Sequence, residues 1–127
     1  MKKFFRFIPA ILYTALIWYV SSKPVYLPIE GSDKLIHTIE YAVLGFLLAF
    51  GFELNTNKIT RVTILCFIIG VLLGVMDEVH QYFVPGRSAD IYDAAVDALG
   101  VAVGIRIFPL VFALLSQFRK NILPNNS

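Results

Sequence analysis

Three short stretches of this chain hold most of its reactive side chains: Asp33, Lys34, His37 and Glu40; Asp77, Glu78, His80 and Gln81; and Arg87, Asp90, Asp93 and Asp97. Carboxylates and imidazoles move protons and hold divalent cations, and an arginine beside them can anchor a phosphate. Their setting makes them costly. Of the nine acidic residues, Asp33, Glu40, Asp77, Glu78, Asp90, Asp93 and Asp97 lie inside, or within one turn of, runs apolar enough to cross a bilayer. An acid at the centre of a lipid-crossing helix costs about 2.5–3.5 kcal/mol on insertion scales, so these residues need partners.

Within the three stretches, His37, Glu40, Asp77 and Glu78 are the candidates for acid–base catalysis. Asp33, Lys34, Gln81, Arg87, Asp90, Asp93 and Asp97 are the candidates for binding. Only Lys34, Arg87 and the two histidines offset the carboxylates, so either some acids keep their protons or a cation neutralises them. A divalent metal held by carboxylates and histidine would suit phosphoryl or hydrolytic chemistry on a lipid headgroup. No H-E-x-x-H spacing supports it, and a structural network in which Arg87 engages the acids is the competing outcome. Single residues also have simpler readings. Asp33 and Lys34 fit the interface at a helix start, where an acid meets the positive end of the dipole. Asp90 fits a helix N-cap, and His37 serves equally as a hydrogen-bond donor. Glu40 and Asp97 fit no such role, because each lies about two turns inside its helix, ~10 Å at the α-helical rise.

The elements that must position these residues are membrane spans. The chain has 127 residues, 57% of them hydrophobic and 16% charged, and a mean hydropathy of +0.72. That length suits one domain, 1–127, and the composition excludes a water-soluble globule. Apolar runs over about 4–20, 33–52, 59–82 and 90–115 are each long enough to cross as a helix, which predicts an all-α, four-helix transmembrane bundle. The first run has a competing reading as a cleavable signal peptide ending in the small residues Val20-Ser21-Ser22. Ser32 is a candidate N-cap, Pro85-Gly86 marks a tight turn, and Pro109 is expected to kink the last span. Arg106 is expected to snorkel or to pair within the bundle. Cys66, alone in an apolar run, builds neither a disulfide nor a thiolate metal site within one chain.

Orientation follows from the cations. Lys2, Lys3 and Arg6 precede the first span, Lys58 and Arg61 separate the second from the third, and Arg119 and Lys120 follow the fourth; the opposite side holds Lys23, Lys34 and Arg87. The positive-inside bias predicts both termini in the cytoplasm, N-in/C-in, and puts all three acidic clusters at the extracytoplasmic ends of their helices. The scattered cations form no stripe of the kind nucleic acid requires. At 100° per residue, Asp33, His37 and Glu40 share an arc of the second helix. Asp77 and Gln81 continue the line of Gly70 and Gly74, and Asp90, Asp93 and Asp97 that of Gly100 and Gly104. The two G-x-x-x-G faces suit close packing in lipid, against a neighbouring helix or against a second copy in a homo-oligomer. The expected result is a glycine-packed base opening into one outward-facing acidic pocket with Arg87 at its rim.

The pattern Asp33-Lys34-x-x-His37-x-x-x-Tyr41, followed by Asp77-Glu78-x-x-Gln81-x-x-x-Pro85-Gly86-Arg87-x-x-Asp90-x-x-Asp93-x-x-x-Asp97-x-x-Gly100, resembles the VanZ-like family of small bacterial membrane proteins. The resemblance covers the chain after its first span. It implies a multi-pass protein of the bacterial cytoplasmic membrane and the cell envelope, and its namesake is linked with resistance to the glycopeptide teicoplanin. No agreed reaction or substrate comes with the name. The expected partners are membrane lipids, together with a lipid-linked cell-wall intermediate, a headgroup or a glycopeptide that the pocket binds or modifies. The alternative is a non-enzymatic membrane interaction protein whose polar network is structural. A proton- or ion-coupled transporter fits less well, because the acids occupy one leaflet only.

Overall fold

The computed structural model describes residues 4–23, 32–54 and 59–122, and contains no strand among them. A 3-10 turn at Phe4–Phe7 leads into four helices, α1 (Ile8–Ser21), α2 (Ser32–Gly51), α3 (Arg61–Tyr82) and α4 (Ile91–Ile122). All four are long and apolar enough to cross a membrane, α1 together with its 3-10 turn. α3 opens with reciprocal bonds: the Thr63 amide donates to the Thr60 hydroxyl at 3.1 Å and the Thr60 amide to the Thr63 hydroxyl at 3.3 Å. This capping box satisfies two amides that the first turn would otherwise leave bare.

One boundary differs from expectation. α4 runs past 115 to Ile122, because nothing between Ser116 and Lys120 breaks a helix and Arg119 and Lys120 suit the negative end of its dipole. The next residue precedes Pro124, a position that disfavours helix. At ~1.5 Å per residue, 32 residues make roughly 48 Å, against a hydrocarbon core of about 30 Å, so α4 outlasts the bilayer. The helix continues through Pro109, which is buried.

Polarity is inverted relative to a soluble protein. Leu12, Leu16, Leu72, Val79 and Leu99 are exposed, whereas His37, Asp77, Glu78, Gln81, Asp93 and Asp97 are buried. That distribution is stable where the solvent is hydrocarbon.

Small residues bring the helices together. Gly100 faces the Thr38 carbonyl and the Ala42 amide, Gly104 faces the Ala42 carbonyl and the Phe46 amide, and Gly45 faces the Val101 backbone. A methyl at any of the three would collide with main chain, so α2 and α4 touch backbone to backbone. On α3, Gly70 receives the Val101 side chain, and Gly74 receives Asp97 and the Tyr41 ring. These glycine contacts are made within the chain, which is the helix-packing reading of the two G-x-x-x-G faces. Tyr41, Leu44, Cys66, Val101 and Ile105 complete the core.

The helices alternate in direction, so one level of the bundle collects the ends of α1 and α3 and the starts of α2 and α4. At the opposite level Arg6 and Glu53 form an ion pair. There α2 is closed by the Leu54 amide, which donates to the Ala49 carbonyl at 3.0 Å, with Glu53 at φ 55° in the left-handed position usual for glycine. Back at the first level, α3 ends in the turn Val84-Pro85-Gly86-Arg87. The Arg87 amide donates to the Val84 carbonyl at 3.1 Å and Gly86 has φ 83°, the type II pattern in which proline precedes glycine.

Candidate functional site

The polar level is assembled from all four helices. From α1, the Ser21 hydroxyl donates to Asp77 Oδ2 at 2.9 Å. Gln81, one turn beyond Asp77 on α3, donates to the same oxygen at 2.9 Å and more weakly to Glu78 Oε1 at 3.5 Å. The other Glu78 oxygen, Oε2, accepts the Asp90 backbone N–H at 2.9 Å, which ties the end of α3 to the start of α4.

α2 faces α4 across two further contacts. Lys34 Nζ donates to Asp93 Oδ1 at 2.8 Å and to Asp90 Oδ2 at 3.3 Å. One turn deeper, His37 Nδ1 and Asp97 Oδ1 lie 3.1 Å apart. Asp90 has a second task as the cap of α4, its Oδ1 accepting the Tyr92 amide at 2.8 Å. That amide, with Lys34 adding to it, holds the Asp90 carboxyl below the usual range. Lys34 and Asp90 are partly exposed, whereas His37, Asp93 and Asp97 are buried, so the site grades from a charged rim to a closed interior.

Helical phase accounts for this convergence. Lys34 and His37 fall on the face of α2 whose later members contact Gly100 and Gly104, so the stripe that packs at one end carries the polar groups at the other. Asp97 stands one turn before Val101 and directly against Gly74. Lacking a side chain, Gly74 leaves room for that carboxylate beside α3.

The structure thus brings together Lys34, His37, Asp77, Glu78, Gln81, Asp90, Asp93 and Asp97. The Asp33 side chain lies outside the described residues. Glu40 is half-buried and makes no hydrogen bond or ion pair to another described residue. Arg87 does not make the contact with the acids that the competing structural reading required. Its Nε donates to the Lys23 carbonyl at 3.0 Å, and no ion pair joins it to a carboxylate among the described residues. The reason is local: the Pro85-Gly86 turn points the arginine across to the end of α1, while Lys34 occupies the place beside Asp90 and Asp93.

Two features escaped the sequence reading. One is Ser21, which looks like the end of a span or a cleavage site and is instead a buried donor to Asp77. The other is the setting of His80, a residue already singled out, which stacks on Trp18 with centroids 5.9 Å apart and lies 2.8 Å from the Ser22 hydroxyl through Nε2. Their shared signal was depth, since Ser21 and Ser22 end α1 at the level where Asp77 and His80 end α3. Among the described residues, His37, Glu78 and Asp97 each offer a ligand atom within 4.8 Å of the others, all three buried. One imidazole and two carboxylates can hold a divalent cation or share protons.

Among known proteins, an uncharacterized protein of Schizosaccharomyces pombe is 29% identical over 79 residues, covering 62% of this chain and 48% of the yeast protein. The chain thus spans about half the length of that relative. No solved structure matches it. The family model described as VanZ/LLP1 matches residues 2–113, which takes in α1, α2, α3, most of α4 and every residue of the polar level, and the chain belongs to that family.

Proposed function

We propose that this chain is a cell-envelope protein of the bacterial plasma membrane whose polar level faces outward and binds, or modifies, an anionic lipid headgroup or a lipid-linked phosphate. The observation that carries this reading is the convergence of side chains from all four helices on one level, with cations at its rim. Lys34 is partly exposed there, and the terminal nitrogens of Arg87 make no ion pair among the described residues. Guanidinium and ammonium groups beside a membrane surface suit phosphate oxygens.

The test compares retention of phosphatidylglycerol with that of phosphatidylcholine on the purified protein by native mass spectrometry. Arg87→Gln should weaken phosphatidylglycerol retention ~10-fold or more, the size of a lost charge-assisted hydrogen bond, with an unchanged melting temperature. Equal retention of the two lipids by the unaltered protein would sink the reading. Glycopeptide susceptibility of an expressing host, measured with the same variant, tests the teicoplanin link that the family name suggests.

A second reading has its own observation. The bonds running from Ser21 through Asp77, Gln81 and Glu78 to the Asp90 amide link α1, α3 and α4, which is what a structural clasp requires. If Asp77→Asn lowers melting temperature and lipid retention together, the network is structural and the protein acts through a membrane partner.

A further inference from the structure

Asp97 is fully buried beside buried Glu78 and His37, and its Oδ2 has no hydrogen-bond partner among the described residues. The nearby cations do not make up the deficit. Lys34 is committed to Asp90 and Asp93, and His37 alone stands by Asp97. A proton neutralises one carboxyl at a time, whereas a divalent ion neutralises two and takes up an imidazole lone pair at once.

We propose that His37, Glu78 and Asp97 hold a divalent transition-metal ion of the manganese-to-zinc class. Their ligand atoms lie within 4.8 Å of one another, and ligands at ~2.0–2.2 Å from one ion stand roughly 3.0–3.6 Å apart, a gap that small side-chain rotations close. His37 Nδ1 and Asp97 Oδ1, at 3.1 Å, already have that spacing. The surroundings are shaped for it. A Cβ at position 74 would stand 3.1 Å from Asp97 Cβ and 3.3 Å from Asp97 Oδ2, so the missing methyl of Gly74 admits this carboxylate to the face of α3. The Asp90 N–H fixes Glu78 Oε2 at 2.9 Å, an outer-shell bond that orients a ligand. Mixed nitrogen and oxygen donors select against calcium and magnesium, which prefer oxygen alone. Three protein ligands leave a coordination position open, and a phosphate oxygen is the group that would fill it. That last step rests on the headgroup reading proposed above; the ion site itself does not.

The experiment uses the full chain in detergent, stripped with chelator and then titrated separately with Zn2+, Mn2+, Ca2+ and Mg2+. Elemental analysis follows desalting, and melting temperature is recorded at each step. Uptake of about one Zn2+ or Mn2+ per chain is expected, with a rise in melting temperature. Glu78→Gln and Asp97→Asn should each weaken uptake at least about tenfold and abolish the metal-dependent rise. The metal-free melting temperature of Glu78→Gln should stay at or above that of the unaltered protein, because a surplus buried charge has gone. The proposal is overturned if the unaltered protein takes up no stoichiometric Zn2+ or Mn2+, if Ca2+ or Mg2+ binds as tightly, or if both variants retain full uptake. Phosphatidylglycerol retention in the same samples separates the two readings. Metal uptake without lipid retention removes the headgroup ligand and leaves the ion site standing, and lipid retention without metal uptake does the reverse.

Discussion

Ser21 shows how much one hydroxyl can do at the end of a membrane helix. It is the only described side chain of α1 bonded to the acidic cluster, and its target oxygen on Asp77 has Gln81 as its other donor. Ser21→Ala should therefore destabilise the bundle by about 1–2 kcal/mol, the cost of a buried acceptor losing a donor, measurable by denaturation in mixed micelles. Asp90 gives a pH-dependent outcome. Its folded-state carboxyl is held below the ordinary 3.8, so its stabilising contribution is complete above that value and disappears as pH falls through the lower folded value. Exchange protection of the Tyr92 amide should hold down to the ordinary carboxylate range and collapse only below it, whereas collapse near pH 6 would show that another group controls the cap. The polar residues themselves were legible in the sequence, because acids in apolar runs stand out at once. Their partners were not. Whether Asp93 meets Lys34 or Arg87 depends on how far two helices slide and rotate against each other, and neither helix encodes that alone.

At the level of elements, glycine positions separate two kinds of cost. A Cβ at Gly86 meets nothing within 4 Å, so Gly86→Ala bears only left-handed backbone strain, about 1–2 kcal/mol. At Gly104 the methyl would meet the Ala42 carbonyl and the Phe46 amide. Gly104→Ala must therefore push α2 and α4 apart, costing about 1–3 kcal/mol and moving His37 away from Asp97. The distinguishing measurement is metal uptake or lipid retention alongside melting, since Gly86→Ala should leave both intact and Gly104→Ala should not. Helix extents were largely readable from apolar length. The end of α4 was not, because an amphipathic exit from the bilayer has the same composition as a loop. The glycine lines were readable as packing faces, but their partners lay beyond one-dimensional periodicity.

For the whole molecule, the testable quantity is the side of the membrane on which the polar level stands. Ser88 is exposed in the loop between α3 and α4. In a Cys66→Ser background, Ser88→Cys should react with a membrane-impermeant maleimide added to intact cells; labelling only after lysis would place the polar level in the cytoplasm and reverse the proposed orientation. The alternation of the helices also bears on how the protein is made. Asp77 on α3 is bonded by Ser21 on α1, Asp93 on α4 by Lys34 on α2, and Asp97 by His37. In each case the later-synthesised acid meets a donor on a helix that left the ribosome earlier. Each newly arriving span can thus find a waiting polar partner in the bilayer, whereas Glu78 Oε2 takes its donor, the Asp90 amide, from the helix that emerges next.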